Sequence, residues 1–196
     1  GDRTADCTFD VQDDQNGSVD CIVTVNDGNG SSDSESITLV VSPVNDAPIL
    51  SLVSNQFTDE DEDLTISVSA SDVDIAENGQ SMTFTLECTG DDALVSTSCV
   101  STGDATADCT FDVQDDQNGS VDCVVTVDDG NGASDSEGIA FTVNAVNDAP
   151  ILSLVGDQST DEDEDLTISV SAGDVDIAEN GQSMTFDLTC IDYVDD

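Results

Sequence analysis

Residues 109–127 read CTFDVQDDQNGSVDCVVTV, and apolar and polar side chains alternate on both sides of a central polar stretch. "CTFDV" at 109–113 and "VDCVVTV" at 121–127 each place their apolar residues on one face. Alternation with a period of two is typical of a half-buried β-strand. The intervening Asn118-Gly119 pair favours a turn. The stretch therefore predicts two consecutive strands with one face in a core.

The same alternation occurs on both sides of this stretch, in "LTISVSA" at 64–70, "MTFTLEC" at 82–88 and "GIAFTV" at 138–143. Further Asn-Gly and Asp-Gly pairs stand between the alternating segments, and no segment has a sustained helical period. About seven short strands in roughly 100 residues are typical of an antiparallel sandwich. The predicted fold class is all-β, built from antiparallel β-sandwiches.

The chain contains a long internal repeat. "VNDAPIL" occurs at 44–50 and again at 146–152, 102 positions later, and "TADCTFDVQDDQNGSVDC" occurs unchanged at 4–21 and 106–123. This period is close to the commonest domain size, so each repeat is expected to be one domain.

The repeat divides the chain into three predicted parts. Residues 1–46 correspond to the last three strands of one sandwich, 47–148 to a complete sandwich, and 149–196 to the first three strands of another. The two partial units are complementary, and neither can bury its apolar face alone. We expect neighbouring copies, or further repeats of a longer polypeptide, to complete them head to tail in a rod or filament.

The composition is strongly acidic, with 45 Asp and Glu against a single basic residue and a formal charge of −44. This charge excludes nucleic acid and anionic membrane surfaces as partners. The chain has no His, which excludes a Ser-His-Asp triad and His-bearing zinc sites. No apolar run reaches the ~20 residues of a membrane-spanning helix, so membrane insertion of this segment is not expected. We predict a protein that is not an enzyme and that needs counter-cations.

The seven cysteines show no C-x-x-C spacing, which argues against zinc or iron–sulfur sites and favours disulfides in an oxidising, extracellular setting. Four cysteines in the complete repeat allow three pairings. Because the cysteines lie on inward faces, the favoured bridges are Cys109–Cys123, Cys88–Cys99 and, by repetition, Cys7–Cys21. This choice leaves Cys190 without a partner, and free buried cysteines are the alternative.

Three groups of oxygen-bearing side chains recur with the repeat: "TDEDEDL" at 58–64, "SDVDIAENG" at 71–79 and the Asn-Asp pair at 45–46. Asp and Asn in short loops suit a hard cation such as Ca²⁺, which takes six to eight oxygen ligands. An EF-hand is excluded, because "DEDEDL" lacks the Gly at its sixth position and Ala70 stands at the twelfth.

The pattern resembles the cadherin-like domains, and more closely the "VNDAP" tandem repeats of large bacterial surface proteins. The matching positions are Asn45-Asp46-Ala47-Pro48, Glu60, Ala70-x-Asp72-x-Asp74, Asn78 and Asp129-Gly130. The sequence departs from that family at 112–116, where "DVQDD" replaces Asp-Arg-Glu, and it lacks the second Asn of the linker. The number of ions at each junction is therefore left open.

The resemblance implies tandem Ig-like or cadherin-like antiparallel Greek-key β-sandwiches. It also implies that the Asn-Asp-Ala-Pro segment is an inter-domain hinge stiffened by calcium. The ligand candidates at the first junction are Asp13 or Asp14, Asn45, Asp46, Asp72, Asp74, Asn78 and Asp129. Those at the second junction are Glu60, Asp115 or Asp116, Asn147, Asp148, Asp174, Asp176 and Asn180. The neighbouring acids Glu62 and Glu162 are included as further candidates.

The sequence thus favours an extracellular, cell-surface protein that calcium stiffens into a linear rod or filament for adhesion or structure. One alternative is a halophilic surface-layer domain whose acids are merely solvated. Another is a carbohydrate- or ligand-binding module of a secreted enzyme. Such modules usually bind through exposed aromatic rings, and this chain has no Trp and one Tyr.

Overall fold

The computed structural model describes residues 3–75, 79–90, 94–177 and 181–190, and twelve β-strands lie in these ranges. Their bounds are β1 (Gly17–Asn26), β2 (Ser32–Val41), β3 (Ile49–Leu50), β4 (Gln56–Asp59), β5 (Leu64–Ser71), β6 (Thr83–Thr89), β7 (Val95–Gly103), β8 (Thr106–Val113), β9 (Gly119–Asp128), β10 (Ser134–Asn144), β11 (Ile151–Leu152) and β12 (Ala172–Gly173).

Residues 49–144 form two four-stranded sheets. One sheet has the order β4-β10-β9-β6 and the other β3-β5-β8-β7. The β4–β10 pair is parallel, and the other pairs in these sheets are antiparallel. The prediction of an all-β sandwich is confirmed.

The core lies between the two sheets and is lined by the alternating residues of the stretch at 109–127. Phe111 of β8 stacks on Phe141 of β10, with ring centroids 4.1 Å apart and an interplanar angle of 14°. Cys109 and Val113 are buried beside Phe111 on the same face of β8. A period of two therefore identified the inward face of this strand correctly, because successive side chains of a strand point to opposite faces.

The sequence pattern gave no strand at β7, where only a turn was expected between Cys88 and Cys99. This strand reads VSTSCVSTG and stands at the edge of its sheet, paired only with β8. An edge strand buries little, so Ser and Thr can replace apolar residues and the hydrophobic period becomes faint.

The predicted disulfides are wrong in their connectivity. The structure joins Cys88 to Cys123 and Cys99 to Cys109, with Cα atoms 3.9 and 4.0 Å apart. Each pair stands directly opposite across neighbouring strands of one sheet, β6–β9 and β7–β8 respectively. The predicted Cys109–Cys123 bridge would join β8 to β9 across the core. Facing sheets are ~10 Å apart, whereas a disulfide requires Cα atoms within about 7 Å.

The predicted Cys7–Cys21 bridge is also wrong, although these cysteines repeat Cys109 and Cys123 in sequence. Both are free thiols, and Cys7 is exposed. Cys190 is also free and exposed, as expected.

The partial repeats at the two ends hold less regular structure than the complete one. β1 and β2 form a two-stranded antiparallel hairpin, and β11 and β12 pair over two residues only. Residues 4–11, whose sequence is identical to that of β8 from Thr106, are not in a strand. Within the described ranges, no helix has the length and apolar character needed to cross a membrane.

Candidate metal centre

Each Asn-Asp linker pair is held against the domain that follows it. The backbone N–H of Asp46 donates to Oδ2 of Asp74 at 2.7 Å, and the backbone N–H of Asp148 donates to Oδ2 of Asp176 at 2.7 Å. Both acceptor carboxylates are buried. Buried carboxylates require partners, and at both junctions the linker backbone supplies one.

A second set of hydrogen bonds fixes the linker asparagines. Nε2 of Gln80 donates to Oδ1 of Asn45 at 2.9 Å, and Nε2 of Gln182 donates to Oδ1 of Asn147 at 2.8 Å. The two junctions therefore share one geometry, as expected for identical linker sequences.

Glu60 ties the second linker to the domain that precedes it. Its carboxylate is buried, and Oε1 accepts the backbone N–H of Val146 at 2.5 Å. Its backbone N–H donates to the carbonyl of Asn144 at 2.9 Å, at the end of β10. The last strand of the complete repeat and the start of the linker thus converge on one acidic side chain.

Three further carboxylates meet at this junction. One oxygen each of Asp61, Asp116 and Asp148 lies within 4.8 Å of the other two. Asp61 and Asp116 lie in loops between strands of the sandwich, and Asp148 is the second residue of the Asn-Asp linker pair. Because Ca²⁺–oxygen distances are about 2.3–2.6 Å, oxygens separated by up to ~5 Å can share one ion. We refer to these residues as the Asp61–Asp116–Asp148 cluster.

Local backbone geometry places two members of the cluster. Asp61 and Asp116 have φ values of 65° and 57°, in the left-handed region that Asp tolerates better than most residues. The backbone N–H of Asp116 donates to Oδ1 of Asp61 at 3.0 Å, which joins the two loops. The two loops therefore hold the negatively charged side chains of Asp61 and Asp116 close to each other.

The electrostatics of the cluster are unfavourable without a cation. Desolvation raises the pKa of Asp148, and the nearby charges of Asp116, Asp61, Asp176 and Glu60 raise it further. The pKa of Asp116 is raised in the same way, by desolvation and then by Asp61, Asp115, Glu60 and Asp176. The surrounding carboxylates thus disfavour the ionised forms of Asp116 and Asp148.

The donor set fits a hard divalent cation. Oδ2 of Asp148 and Oδ2 of Asp72 are buried atoms without a hydrogen-bond partner among the described residues. A buried oxygen without a hydrogen-bond partner destabilises the folded state. A cation bound to such an oxygen would be coordinated by its lone pairs and would neutralise its negative charge. All candidate ligands are oxygens, which suit Ca²⁺ rather than zinc or copper.

The first junction repeats part of this arrangement. Desolvation raises the pKa of Asp46, followed by the charges of Asp14, Asp74 and Asp72. A cavity of about 290 Å³ lies between the preceding segment and the linker, and Asp13, Asp14, Asp46 and Asp74 are among its lining residues. Asp14 and Asp46 therefore stand where Asp116 and Asp148 stand at the second junction.

The family comparison covers the region that contains these loops. The bacterial Ig domain family matches residues 45–142, which is half of the chain. The chain belongs to the bacterial Ig domain family. No curated protein matches it.

Several solved structures resemble this bacterial Ig domain chain at low identity. Protocadherin gamma C5 EC1-3 is 19% identical with a TM-score of 0.45, over 81% of this chain and 54% of that one. Mouse clustered PcdhgC3 EC1-3 is 22% identical with a TM-score of 0.43, over 80% and 54%. An endo-fucoidan hydrolase from glycoside hydrolase family 107 is 17% identical with a TM-score of 0.39, over 67% and 19%. The chain thus spans about half of the protocadherin fragments and about a fifth of the hydrolase.

Asp129 of this bacterial Ig domain stabilises a turn and contacts the first linker. Its Oδ1 accepts the backbone N–H groups of Asn131 and Ala133 at 2.8 and 3.0 Å, which closes the turn after β9. Its Oδ2 accepts Nδ2 of Asn45 at 2.6 Å. The Asn45 hydrogen bond lowers the pKa of Asp129 first, with desolvation opposing it. This carboxylate is already well supplied with donors.

The remaining predicted ligands lie outside the Asp61–Asp116–Asp148 cluster. Asp115 lies next to Asp116 and raises its pKa, while Glu62 and Glu162 are exposed on their loops. Oδ1 of Asp174 accepts the backbone N–H of Asp176 at 3.0 Å, which positions the latter. Two predicted ligands, Asn78 and Asn180, lie outside the described residues.

Sequence reasoning did not single out Asp61, which the structure places in the Asp61–Asp116–Asp148 cluster. The prediction selected Glu60 and Glu62 from the five consecutive acids at 59–63 and passed over the residue between them. No periodic signal distinguishes neighbouring acids in such a run. The left-handed backbone at Asp61, which turns its carboxylate toward Asp116, became visible only in three dimensions.

Proposed function

We propose that this chain is a non-enzymatic, calcium-binding extracellular repeat protein in which Ca²⁺ at each Asn-Asp-Ala-Pro linker stiffens successive Ig-like domains into a rod. The rod would serve cell-surface adhesion or structure. Calcium here is a structural ligand, so binding and folding are coupled.

One observation carries this proposal: the Asp61–Asp116–Asp148 cluster joins the complete repeat to the linker. Asp148 in turn is hydrogen-bonded through its backbone to Asp176 of the following segment. An ion held by the cluster would therefore connect groups on both sides of the hinge and oppose its bending.

Calcium is favoured over magnesium by the ligands. Mg²⁺ requires a near-octahedral shell at 2.0–2.1 Å, whereas Ca²⁺ accepts irregular shells of six to eight oxygens. The cluster is made of separate loop carboxylates with exposed members, Asp61 and Asp116. Water could complete the shell at these exposed positions.

Calorimetric titration with Ca²⁺ and thermal unfolding test the proposal. We expect saturating calcium to raise the Tm, and Asp61→Asn to weaken binding at the second junction by about tenfold or more, equivalent to ~1.4 kcal/mol. Asp163→Asn is the matched control, because Asp163 is the same residue of the next repeat and has the same left-handed backbone, with φ 64°. This control should bind at the second junction like the parent.

Ionic strength must be matched throughout, since the net charge is −44. Equal melting with calcium and with a chelator would contradict the proposal. If molar sodium chloride replaced calcium completely, the carboxylates would be solvated rather than chelating, as in the halophilic alternative.

A further inference from the structure

Strand β7 leaves one edge of the sandwich open. It lies at the end of its sheet and pairs only with β8. Its sequence, VSTSCVSTG, contains neither a charged residue nor a proline. Natural edge strands usually carry such residues, because an exposed edge otherwise accepts a further strand. β7 therefore lacks the usual protection, in a chain of which 23% is charged.

The backbone of β7 directs hydrogen-bonding groups away from its sheet. In an antiparallel pair, residues whose N–H and C=O groups face the partner strand alternate with residues whose groups face away. The carbonyl of Leu94 accepts the N–H of Gln114 at 3.0 Å, so the backbone groups of Thr97 and Cys99 face the opposite side. The Cα atoms of Cys99 and Cys109 are 4.0 Å apart, which agrees, because this close spacing belongs to pairs that exchange no backbone hydrogen bonds.

The neighbouring edge, at β6 of the facing sheet, is less open. Oγ1 of Thr97 donates to the carbonyl of Leu86 at 2.6 Å, so a side chain of β7 already occupies an acceptor of β6. β6 also carries Glu87, a charged residue of the type that blunts an edge. On this side of the sandwich, β7 is therefore the strand to which another strand can add.

Two aspartates of β8 lie beside this edge on the outward face of the sheet. In the β7–β8 register, Asp112 stands opposite Ser96 and Asp108 stands opposite Val100. Oδ2 of Asp112 accepts the hydroxyl of Ser96 at 3.1 Å, and Oδ1 of Asp108 accepts the hydroxyl of Ser67 at 2.7 Å. These donors are neutral, so the two negative charges stay uncompensated next to β7.

These observations favour a basic strand at the open edge. Adjacent strands are about 4.8 Å apart, so outward side chains of an added strand would lie about 10 Å from the two aspartates of β8. The long stems of Lys and Arg can carry their charged groups across most of that distance. We infer that β7 binds an extended segment of a partner protein as an additional strand, with Lys or Arg at two positions four residues apart. Main-chain hydrogen bonds provide the affinity of this binding mode, and alternate side chains provide its specificity.

A second copy of this chain fits the same edge less well. It would bring a further formal charge of −44 to a surface that is already acidic. Like charges oppose such a pairing, whereas the field of the whole chain attracts a basic segment. Charge complementarity therefore selects the basic segment as the occupant.

Binding of a labelled peptide to the full chain tests this inference by fluorescence anisotropy. The probe is acetyl-Thr-Lys-Val-Thr-Val-Lys-Thr-amide, whose lysines lie on one face of a strand when they stand opposite Ser96 and Val100. Its valines then stand opposite Thr97 and Cys99. The control peptide carries N-methyl groups on both valines, so it keeps the charge but loses the two N–H donors that face β7. We expect it to bind about tenfold more weakly or less.

Variants of the chain locate the binding site. Thr97→Pro removes an N–H that faces the open edge, and we expect about tenfold weaker binding. Thr97→Val is its matched control, because it removes the hydroxyl bonded to Leu86 and keeps the N–H. Asp108→Asn and Asp112→Asn should each weaken binding about two- to fivefold, the range of exposed ion pairs. Asp122→Asn removes the same charge from the exposed surface of the other sheet and should bind like the parent.

Hydrogen exchange with and without the probe supplies a second readout. We expect slower exchange at the amides of Thr97 and Cys99 when the peptide is bound. Equal binding of the methylated peptide, or an equal loss in Asp122→Asn, would mean that net charge alone attracts the peptide and would overturn the inference. Absence of binding at about 1 mM peptide would overturn it as well. So would a dimer of the peptide-free chain that Thr97→Pro abolishes, because a second copy would then occupy the edge.

Discussion

At the scale of single residues, the repeat places aspartates in strained backbone positions next to other acids. Asp14 and Asp116 occupy equivalent positions with φ of 56° and 57°, as do Asp61 and Asp163 with 65° and 64°. A residue with a side chain pays a cost for left-handed backbone. Two of these residues, Asp61 and Asp116, lie in the loops whose carboxylates meet Asp148 in the cluster.

The raised pKa values of Asp46, Asp116 and Asp148 predict an inverse pH dependence for the metal-free protein. Between the ordinary aspartate pKa and the raised folded values, the native state binds more protons than the unfolded state. The free energy of unfolding therefore falls as pH rises through that window. In metal-free buffer, we expect the Tm to fall as the pH rises from just above the ordinary aspartate pKa toward pH 7.

Calcium bound as proposed should remove or reverse this slope, because a cation favours the ionised form of the carboxylates around it. The lowered pKa values of Asp27 and Asp129 act in a different window, below the ordinary aspartate value, where their contribution is lost on acidification. Thermal scans from about pH 2 to pH 7, with and without calcium, measure both effects. A metal-free Tm that rises steadily from pH 5 to pH 7 would contradict the electrostatic account.

At the scale of elements, each sheet of the sandwich carries its own disulfide. Cys88–Cys123 joins β6 to β9, and Cys99–Cys109 joins β7 to β8. Both bridges link neighbouring strands that backbone hydrogen bonds already join. No disulfide among the described residues links the two sheets, so apolar packing holds them together. The stacked Phe111 and Phe141 rings belong to that packing.

Removal of either bridge should destabilise the complete repeat. Cysteines 88 and 123 are 35 residues apart, and cysteines 99 and 109 are 10 apart. Loop-closure entropy then predicts a loss of about 4 kcal/mol for Cys88→Ala/Cys123→Ala and about 3 kcal/mol for Cys99→Ala/Cys109→Ala. Denaturant unfolding of both double variants measures the difference. A larger loss for the shorter loop would show that packing around the sulfur atoms, rather than chain entropy, controls stability.

At the scale of the whole molecule, identical sequences adopt different structures according to their partners. "TADCTFDV" is strand β8 at 106–113 but is not in a strand at 4–11. "LTISVSA" is in β5 at 64–70, while at 166–172 only its last residue is in a strand. The difference lies outside these segments: β8 at 106–113 pairs with β5 and β7, whereas residues 4–11 pair with no strand among the described residues.

Hydrogen exchange should report this difference directly. Amides at 106–113 should be protected far more strongly than those at 4–11, since only the former pair with β5 and β7. Proteolytic peptides that extend to Ile22 or Val124 distinguish the two copies by mass. Equal protection of both copies in monomeric chains would contradict the structure.

The sequence by itself determined the fold class, the repeat and the inward faces of the main strands. Alternation along "CTFDV" and "VDCVVTV" is enough to place Cys109, Phe111 and Cys123 in a core, because the period of side-chain direction in a strand is fixed by its backbone geometry. The linker Asn-Asp pairs were likewise visible as repeated motifs, and the structure gives them equivalent hydrogen bonds.

Only the tertiary structure decided which inward residues meet. Two cysteines on inward faces can be opposite one another in one sheet or separated by the core, and strand pairing chose Cys88 for Cys123. The choice of Asp61 from a run of acids depended in the same way on one left-handed residue and on a loop 55 residues away. The physical reason is common to both: one-dimensional patterns fix the face a side chain takes, whereas its neighbour across the sheet or junction is fixed by contacts distant in sequence.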